Sequence, residues 1–206
     1  MSKLETNTID TVSGTSTLQV GSTNTSTITL GVSGDTINVP SGVTIANSGT
    51  ATGFGGTNTP GFHAFLSANQ EGLSDAATVK VNCNTERYDA TGVYDNSSNY
   101  RFTPGVAGNY FIYGAALLTA DSTSNMREAE VYIYKNGSSI GKASFNYVDN
   151  YSQVATPTIS IVDTADDDDY YELYAQVNTQ NSSNFKIIAD STQQRTYFGA
   201  YRIIGA

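Results

Sequence analysis

The stretch YDNSSNYRFTPGVAGNYFIY, Tyr94–Tyr113, decides the fold. Its first half places Tyr100 and Phe102 on one face of a short extended run and then stops at Pro104-Gly105, a pair that cannot continue a paired strand. A second run starts at Gly108. Along it Tyr110, Ile112 and Gly114 point one way and Asn109, Phe111, Tyr113 and Ala115 the other, so both faces are mostly apolar. Such a strand must be covered on both sides, by a second sheet on one and by a neighbouring subunit on the other.

The order Tyr94-Asp95, Tyr100-x-Phe102, Pro104 and Gly108-x-Tyr110-x-Ile112-x-Gly114 resembles the central motif of the complement 1q globular heads, relatives of the tumour necrosis factor ligands. Phe62–Ala68, Val131–Gly137 and Thr196–Ile203 match other pieces of that pattern, in order, over residues 60–206. The resemblance implies an all-β, ten-stranded jelly-roll sandwich that assembles as a homotrimer. The ten strands are expected near 61–67, 77–82, 99–103, 108–118, 128–135, 139–147, 153–163, 169–178, 184–189 and 195–204. The collagen-like stalk of complement proteins is absent, because residues 1–60 have no Gly-x-y period. The resemblance therefore speaks for the fold more than for an immune function.

Working outward, the sharpest local signal is Lys135-Asn136-Gly137-Ser138. Asn-Gly supplies the positive φ of a tight hairpin turn and joins a strand with Ala129, Val131 and Ile133 inward and Glu128, Glu130, Tyr132 and Tyr134 outward to a second strand from Ser139. Residues 1–56 differ in kind. Between Glu5 and His63 the only charges are Asp10 and Asp35, and apolar pairs recur in a polar background: Leu18/Val20, Ile28/Leu30, Ile37/Val39, Val43/Ile45. Gly21, Gly31, Gly34 and Gly42 stand between the pairs, which reads as very short strands separated by turns. One copy cannot bury enough apolar surface to offset its ordering entropy, whereas three copies winding about one axis can. The segment resembles the repetitive N-terminal parts of bacteriophage fibre and appendage proteins. It is expected to be a virion-attachment or shaft segment, with Gly53, Gly55 and Gly56 leading into a hinge at 57–60, Phe54 its one anchor, and the head at 61–206.

Charge and composition exclude several functions. A net charge of −9 with ten Lys and Arg in all argues against nucleic acid, which needs clustered cations. No run of apolar residues reaches the length of a membrane span, and the first ten residues hold no signal-peptide core, so synthesis in the cytoplasm without membrane insertion is expected. Cys83 is the only cysteine and reads as a buried apolar side chain. His63, the only histidine, has neither a nucleophile elbow nor zinc-ligand spacing around it and is expected to pack or hydrogen-bond. Asp166–Asp169 lacks the glycine and distal glutamate of a calcium loop and reads as a solvated turn, so no catalytic residue, cofactor or metal is expected.

Fourteen tyrosines remain to be explained. Tyr110, Ile112, Tyr113, Phe198 and Tyr201 are expected in the core or at a trimer interface. Tyr147, Asn150, Tyr151, Asn181 and Asn184 lie on loops and are the candidates for contact with a partner, since tyrosine and asparagine combine apolar rings with adaptable polar tips. The expected function is that of a bacteriophage virion appendage, a tail or head fibre. Residues 1–56 would bind other virion proteins, and the trimeric head would adhere, without catalysis, to a host-surface glycan or protein. The alternative is a capsid decoration that stabilises the particle.

Overall fold

A computed structural model describes residues 20–21, 24–46, 48, 58–89, 91–121, 125–148 and 151–204. The chain divides into two compact units, Met1–Thr52 and Gly53–Ala206.

Among the described residues of the first unit no strand forms, so the expected short paired strands are not found within one chain. The turns are. Gly21, Gly31, Gly34 and Gly42 all have positive φ, and backbone bonds Asp35 N–Val32 O and Val43 N–Pro40 O close two of the turns. Every described apolar pair is exposed, with Leu30 at 67% and Ile37 at 62%, as expected for a segment that has too little surface of its own to bury. Leu18 and the Gly53–Gly56 stretch with Phe54 lie outside the described residues.

The second unit is all-β and antiparallel. Its strands are β1 Gly61–Phe65, β2 Gln70–Leu73, β3 Val79–Lys80, β4 Thr85–Asp89, β5 Tyr94–Asp95, β6 Arg101–Phe102, β7 Gly108–Ala115, β8 Leu118–Ala120, β9 Met126–Lys135, β10 Ser138–Asn146, β11 Val154–Ala155, β12 Thr158–Ala165, β13 Tyr171–Thr179, β14 Phe185–Ile187 and β15 Tyr197–Arg202. One sheet has the order β12-β7-β15-β1-β4 and the opposing sheet β10-β9-β13-β6-β5, with β3 also on β13. The consecutive strands β4 and β5, β6 and β7, and β12 and β13 thus lie in different sheets, as in a jelly roll. A third sheet, β11-β8-β14-β2, repeats the neighbour order of the first because each of its strands adjoins one of β12, β7, β15 and β1 along the chain. At the bend Thr196 is fully buried: its hydroxyl donates to Ile188 O and accepts from Leu117 N.

Each expected strand has a counterpart, but β2, β4 and β5 were not anticipated. Two expected runs, 108–118 and 153–163, break at the bend into β7 with β8 and β11 with β12. Tyr100 is not in a strand; its φ of 50° belongs to the turn before β6. That turn is organised by Asp95, whose carboxylate accepts from the backbone N–H groups of Ser97, Ser98 and Asn99 and is held well below the usual carboxylate range by them. At the Asn136-Gly137 turn both residues have positive φ, 51° and 80°.

The motif stretch builds the core. Phe62 stacks on Tyr94 at 4.3 Å and Phe102 at 4.9 Å and meets Phe198 edge-on at 5.2 Å; Phe102 reaches Tyr110 at 5.7 Å. Phe62, Phe102, Tyr110 and Phe198 are fully buried, each contributing about 1.5–3 kcal/mol in area terms. Tyr110 satisfies its hydroxyl on Val106 O at 2.7 Å, as a buried phenol must. Gly114 faces the opposing sheet, where a Cβ would stand 2.7 Å from Leu173 Cδ1, so the sheets close only because that position is empty. Cys83 is wholly buried, and burial pushes its thiol up.

Candidate functional site: an uncovered aromatic face

The outward positions of the first sheet follow from its register. Gly61, Tyr201, Phe111 and Val162 form one row across β1, β15, β7 and β12; Tyr88, His63, Gly199, Tyr113 and Ser160 form the next, starting from β4; Phe65, Tyr197, Ala115 and Thr158 form a third. None of the outward positions on β1, β7, β12 and β15 carries a charge. Val162 is 62% exposed and Tyr88 45%, while His63, Phe111, Tyr113, Tyr197 and Tyr201 are half-buried among themselves. The rings form a continuous patch: Phe111 to Tyr201 at 5.4 Å, Phe111 to Tyr113 at 5.7 Å, Tyr113 to Tyr197 at 6.1 Å, Tyr197 to His63 at 5.5 Å.

Gly199 is the hinge of this arrangement. A Cβ there would fall 2.4 Å from Tyr113 Cζ and 2.5 Å from its hydroxyl, so the ring lies flat across the glycine. Lying so, Tyr113 crosses β15 and places its hydroxyl 3.1 Å from His63 Nδ1. Burial, then the neighbouring Tyr88, Tyr197 and Tyr201, push the Tyr113 hydroxyl up to about 12. Burial, helped by the Arg87 guanidinium, pushes His63 below its ordinary value, so the imidazole stays neutral. His63 therefore packs and hydrogen-bonds. Beside the patch an open hollow is lined by Asn58, Thr59, Gly61, Tyr88 and Tyr201.

The expected interface residues divide in two. Tyr110, Ile112 and Phe198 are in the interior; Tyr113 and Tyr201 are on the outer patch. Of the loop candidates, Asn181 and Asn184 are exposed and Tyr147 and Tyr151 half-buried. Asn181 accepts a bond from the buried Asn125, while Asn150 lies outside the described residues. His63, Phe65, Tyr88, Tyr197 and Gly199 were not anticipated in this patch. A glycine inside an otherwise aromatic strand was the one available clue to a close approach.

The outer face of the opposing sheet corrects two expectations. Glu130 points outward but is only 4% exposed: Lys142 binds it at 2.5 Å and the Tyr132 hydroxyl donates to it. Burial works against its ionisation, but Lys142, Tyr132 and Glu128 outweigh burial and hold it below its ordinary value. Glu172, equally hidden, binds Lys80 at 2.7 Å and Arg101 at 2.9 Å and accepts from the Tyr174 hydroxyl. Asp169, in the expected solvated turn, is instead buried: it accepts from Asp166 N and Asn136 Nδ2 and pairs with Lys135 at 2.9 Å, tying the turn to the Asn136-Gly137 hairpin. Asp166–Asp168 are exposed, and among the described residues no group of three His, Cys, Asp or Glu is placed to hold a metal ion.

Comparison with solved structures finds murine APRIL, at 12% identity and a TM-score of 0.46 over 69% of this chain and 98% of that one. The globular domain of zebrafish complement 1qA matches at 14% identity and 0.45 over 70% and 98%. Eiger TNF from S. frugiperda matches at 8% and 0.46 over 71% and 92%. No protein-family model and no curated protein matches the chain. The fold as described stands on strand order and register alone.

Proposed function

We propose that this chain is a non-catalytic adhesion module, the head and attachment segment of a homotrimeric bacteriophage virion appendage. The observation that carries the reading is the outer face of the first sheet, an aromatic surface without a charge at its centre on which Val162 and Tyr88 are exposed. Contiguous apolar patches of this kind mark association sites in soluble proteins. Elsewhere on the head Ile140 and Phe145 of β10 and Val154 of β11 are also exposed. A face that mates with a different surface makes a head-to-tail contact, and such contacts close into a ring when the rotation between copies closes. Three copies would also bring the exposed pairs of residues 20–46 together around one axis. Residues 1–56 would then attach the trimer to other virion proteins, and exposed loops of the head would meet a host-surface glycan or protein. Three equivalent weak sites bind by avidity without tighter single contacts.

The test is sedimentation velocity and native mass spectrometry of the full chain, followed by binding of the purified species to bacterial cells. The expected species is a trimer down to nanomolar concentration that adheres to the host strain. A stable monomer with solvent-exposed tyrosines, or a trimer that leaves cells unbound, would overturn the reading.

A further inference from the structure

The outer face of the second sheet is satisfied internally along most of its length. It ends differently. Asn146, Glu128 and Asn178 stand side by side across β10, β9 and β13, outward, and with Arg127, Tyr147 and Val148 they line a hollow of about 150 Å³. Among the described residues the side-chain amides of Asn146 and Asn178 have no hydrogen-bond partner, in contrast to the buried Asn125 nearby, which donates to Asn181 and to Ser183 at 2.7 Å. Glu128 is half-buried, and burial together with the neighbouring Glu130 carboxylate holds its pKa above the ordinary value.

The donor set selects a ligand class. Each amide offers donors and an acceptor, Glu128 accepts and Arg127 donates, so the rim matches neighbouring hydroxyls, which both give and take hydrogen bonds. The Tyr147 ring at the margin supplies the apolar surface on which the C–H face of a sugar packs. An anion would meet Glu128 and Glu130 beside the single guanidinium, and a chain of net charge −9. A metal ion lacks the necessary cluster of ligands among the described residues. One carboxylate, Glu128, lines the hollow, whereas a glycosidase needs a pair flanking the scissile bond, so the hollow holds a sugar without cutting it.

We infer that the Asn146–Glu128–Asn178 hollow is a subsite for one uncharged pyranose unit, a hexose or N-acetylhexosamine, of a surface glycan that is bound and not cleaved. The inference rests on the adhesive reading above and names the ligand of that function.

The experiment is saturation-transfer NMR on the full-length protein with the methyl glycosides of glucose, galactose, mannose, N-acetylglucosamine and N-acetylgalactosamine, and a sialoside as the charged control. At least one neutral glycoside is expected to receive saturation, the sialoside less. Affinity is expected to fall about tenfold in Asn178→Asp, which keeps the side-chain shape and removes its donors, and in Tyr147→Ala, with Ser138→Ala at the far end of β10 unchanged. Saturation of no glycoside, or saturation that survives Asn178→Asp, overturns the subsite. The two readings fail separately. If the trimer adheres to cells equally with and without Asn178→Asp, the hollow is wrong and adhesion stands; if glycosides bind but the trimer ignores cells, the hollow stands and the adhesive reading fails.

Discussion

The two outer faces of the sandwich are both rich in tyrosine and differ in what the hydroxyls and rings are given. On the second sheet Tyr132 bonds to Glu130 and Gln176, Tyr174 to Glu172, and Arg101 lies 4.0 Å over the Tyr170 ring; each buried carboxylate there has a cation. Along that stretch the polar groups partner one another, and the charges make covering it with apolar surface costly. On the first sheet the rings touch only one another, His63 and Tyr113 share one hydrogen bond, and Phe111 and Val162 have no polar function at all. Covering it costs little and removes apolar area from water. Tyrosine content alone therefore does not identify a contact surface. The cross-strand company of each ring does.

The widest gap between the faces should appear when a charge is placed on each. Phe111→Glu puts an unpaired carboxylate at the centre of the uncovered patch and is expected to leave a folded monomer at micromolar concentration, since an unmatched buried charge costs about 3–5 kcal/mol per contact. Tyr134→Glu on the other face should leave sedimentation unchanged. If both variants, or neither, shift the species, the contrast between the faces is broken.

A smaller effect sharpens the patch itself. Gly199→Ala introduces a Cβ 2.4 Å from Tyr113 Cζ, with β15 paired on both sides and unable to retreat. Overpacking of this kind costs about 1–3 kcal/mol, read as a fall in urea midpoint. Tyr113→Ala in the same chain should recover most of it. A double variant no better than Gly199→Ala would show that the strand, not the ring, sets the cost.

On the other face Glu172→Gln removes the charge that Lys80 and Arg101 share. Both cations are part-exposed, at 25% and 31% of their side chains, so water takes up some of the loss and about 1–2 kcal/mol is expected, with no change of oligomeric state. Stability unaffected by this substitution would mean that the ion pairs are incidental.

Much of the sandwich was legible where local chemistry decides it. Asn136-Gly137 fixes a hairpin by φ preference, and the alternation of Ala129, Val131 and Ile133 or of Tyr110 and Ile112 states an inward face. The edge strand Thr85–Asp89 was not legible, because its Glu86, Arg87 and Tyr88 are exposed and present no alternation to read. Glu130 and Asp169 misled for a related reason. Their partners Lys142 and Lys135 come from register or from a turn contact, and register between distant strands is not written in either strand alone. The same holds for the site: Phe111, Tyr113 and Tyr201 were visible as apolar positions, but His63 and Tyr88 joined them only once β1 was paired with β4 and β15.

The subtlest difference between the faces is a proton. His63 in the patch has its pKa lowered by burial and by Arg87, so the folded state binds a proton less readily than the unfolded chain does. Between the folded value and the ordinary 6.5 the unfolded state holds more protons, and stability rises with pH. The contribution is therefore complete above 6.5 and is lost as pH falls through the folded value. Covering the patch with a second copy would desolvate His63 further, so acidification from pH 7.5 to 5 is expected to weaken assembly as well as folding. His63→Gln cannot take up the proton and should flatten both responses across that window, as followed by sedimentation and thermal unfolding. Acid loosening that persists in His63→Gln would move its origin to carboxylates, and the ion-paired Glu130 and Asp169, held below their ordinary values, would lose their contribution only at still lower pH.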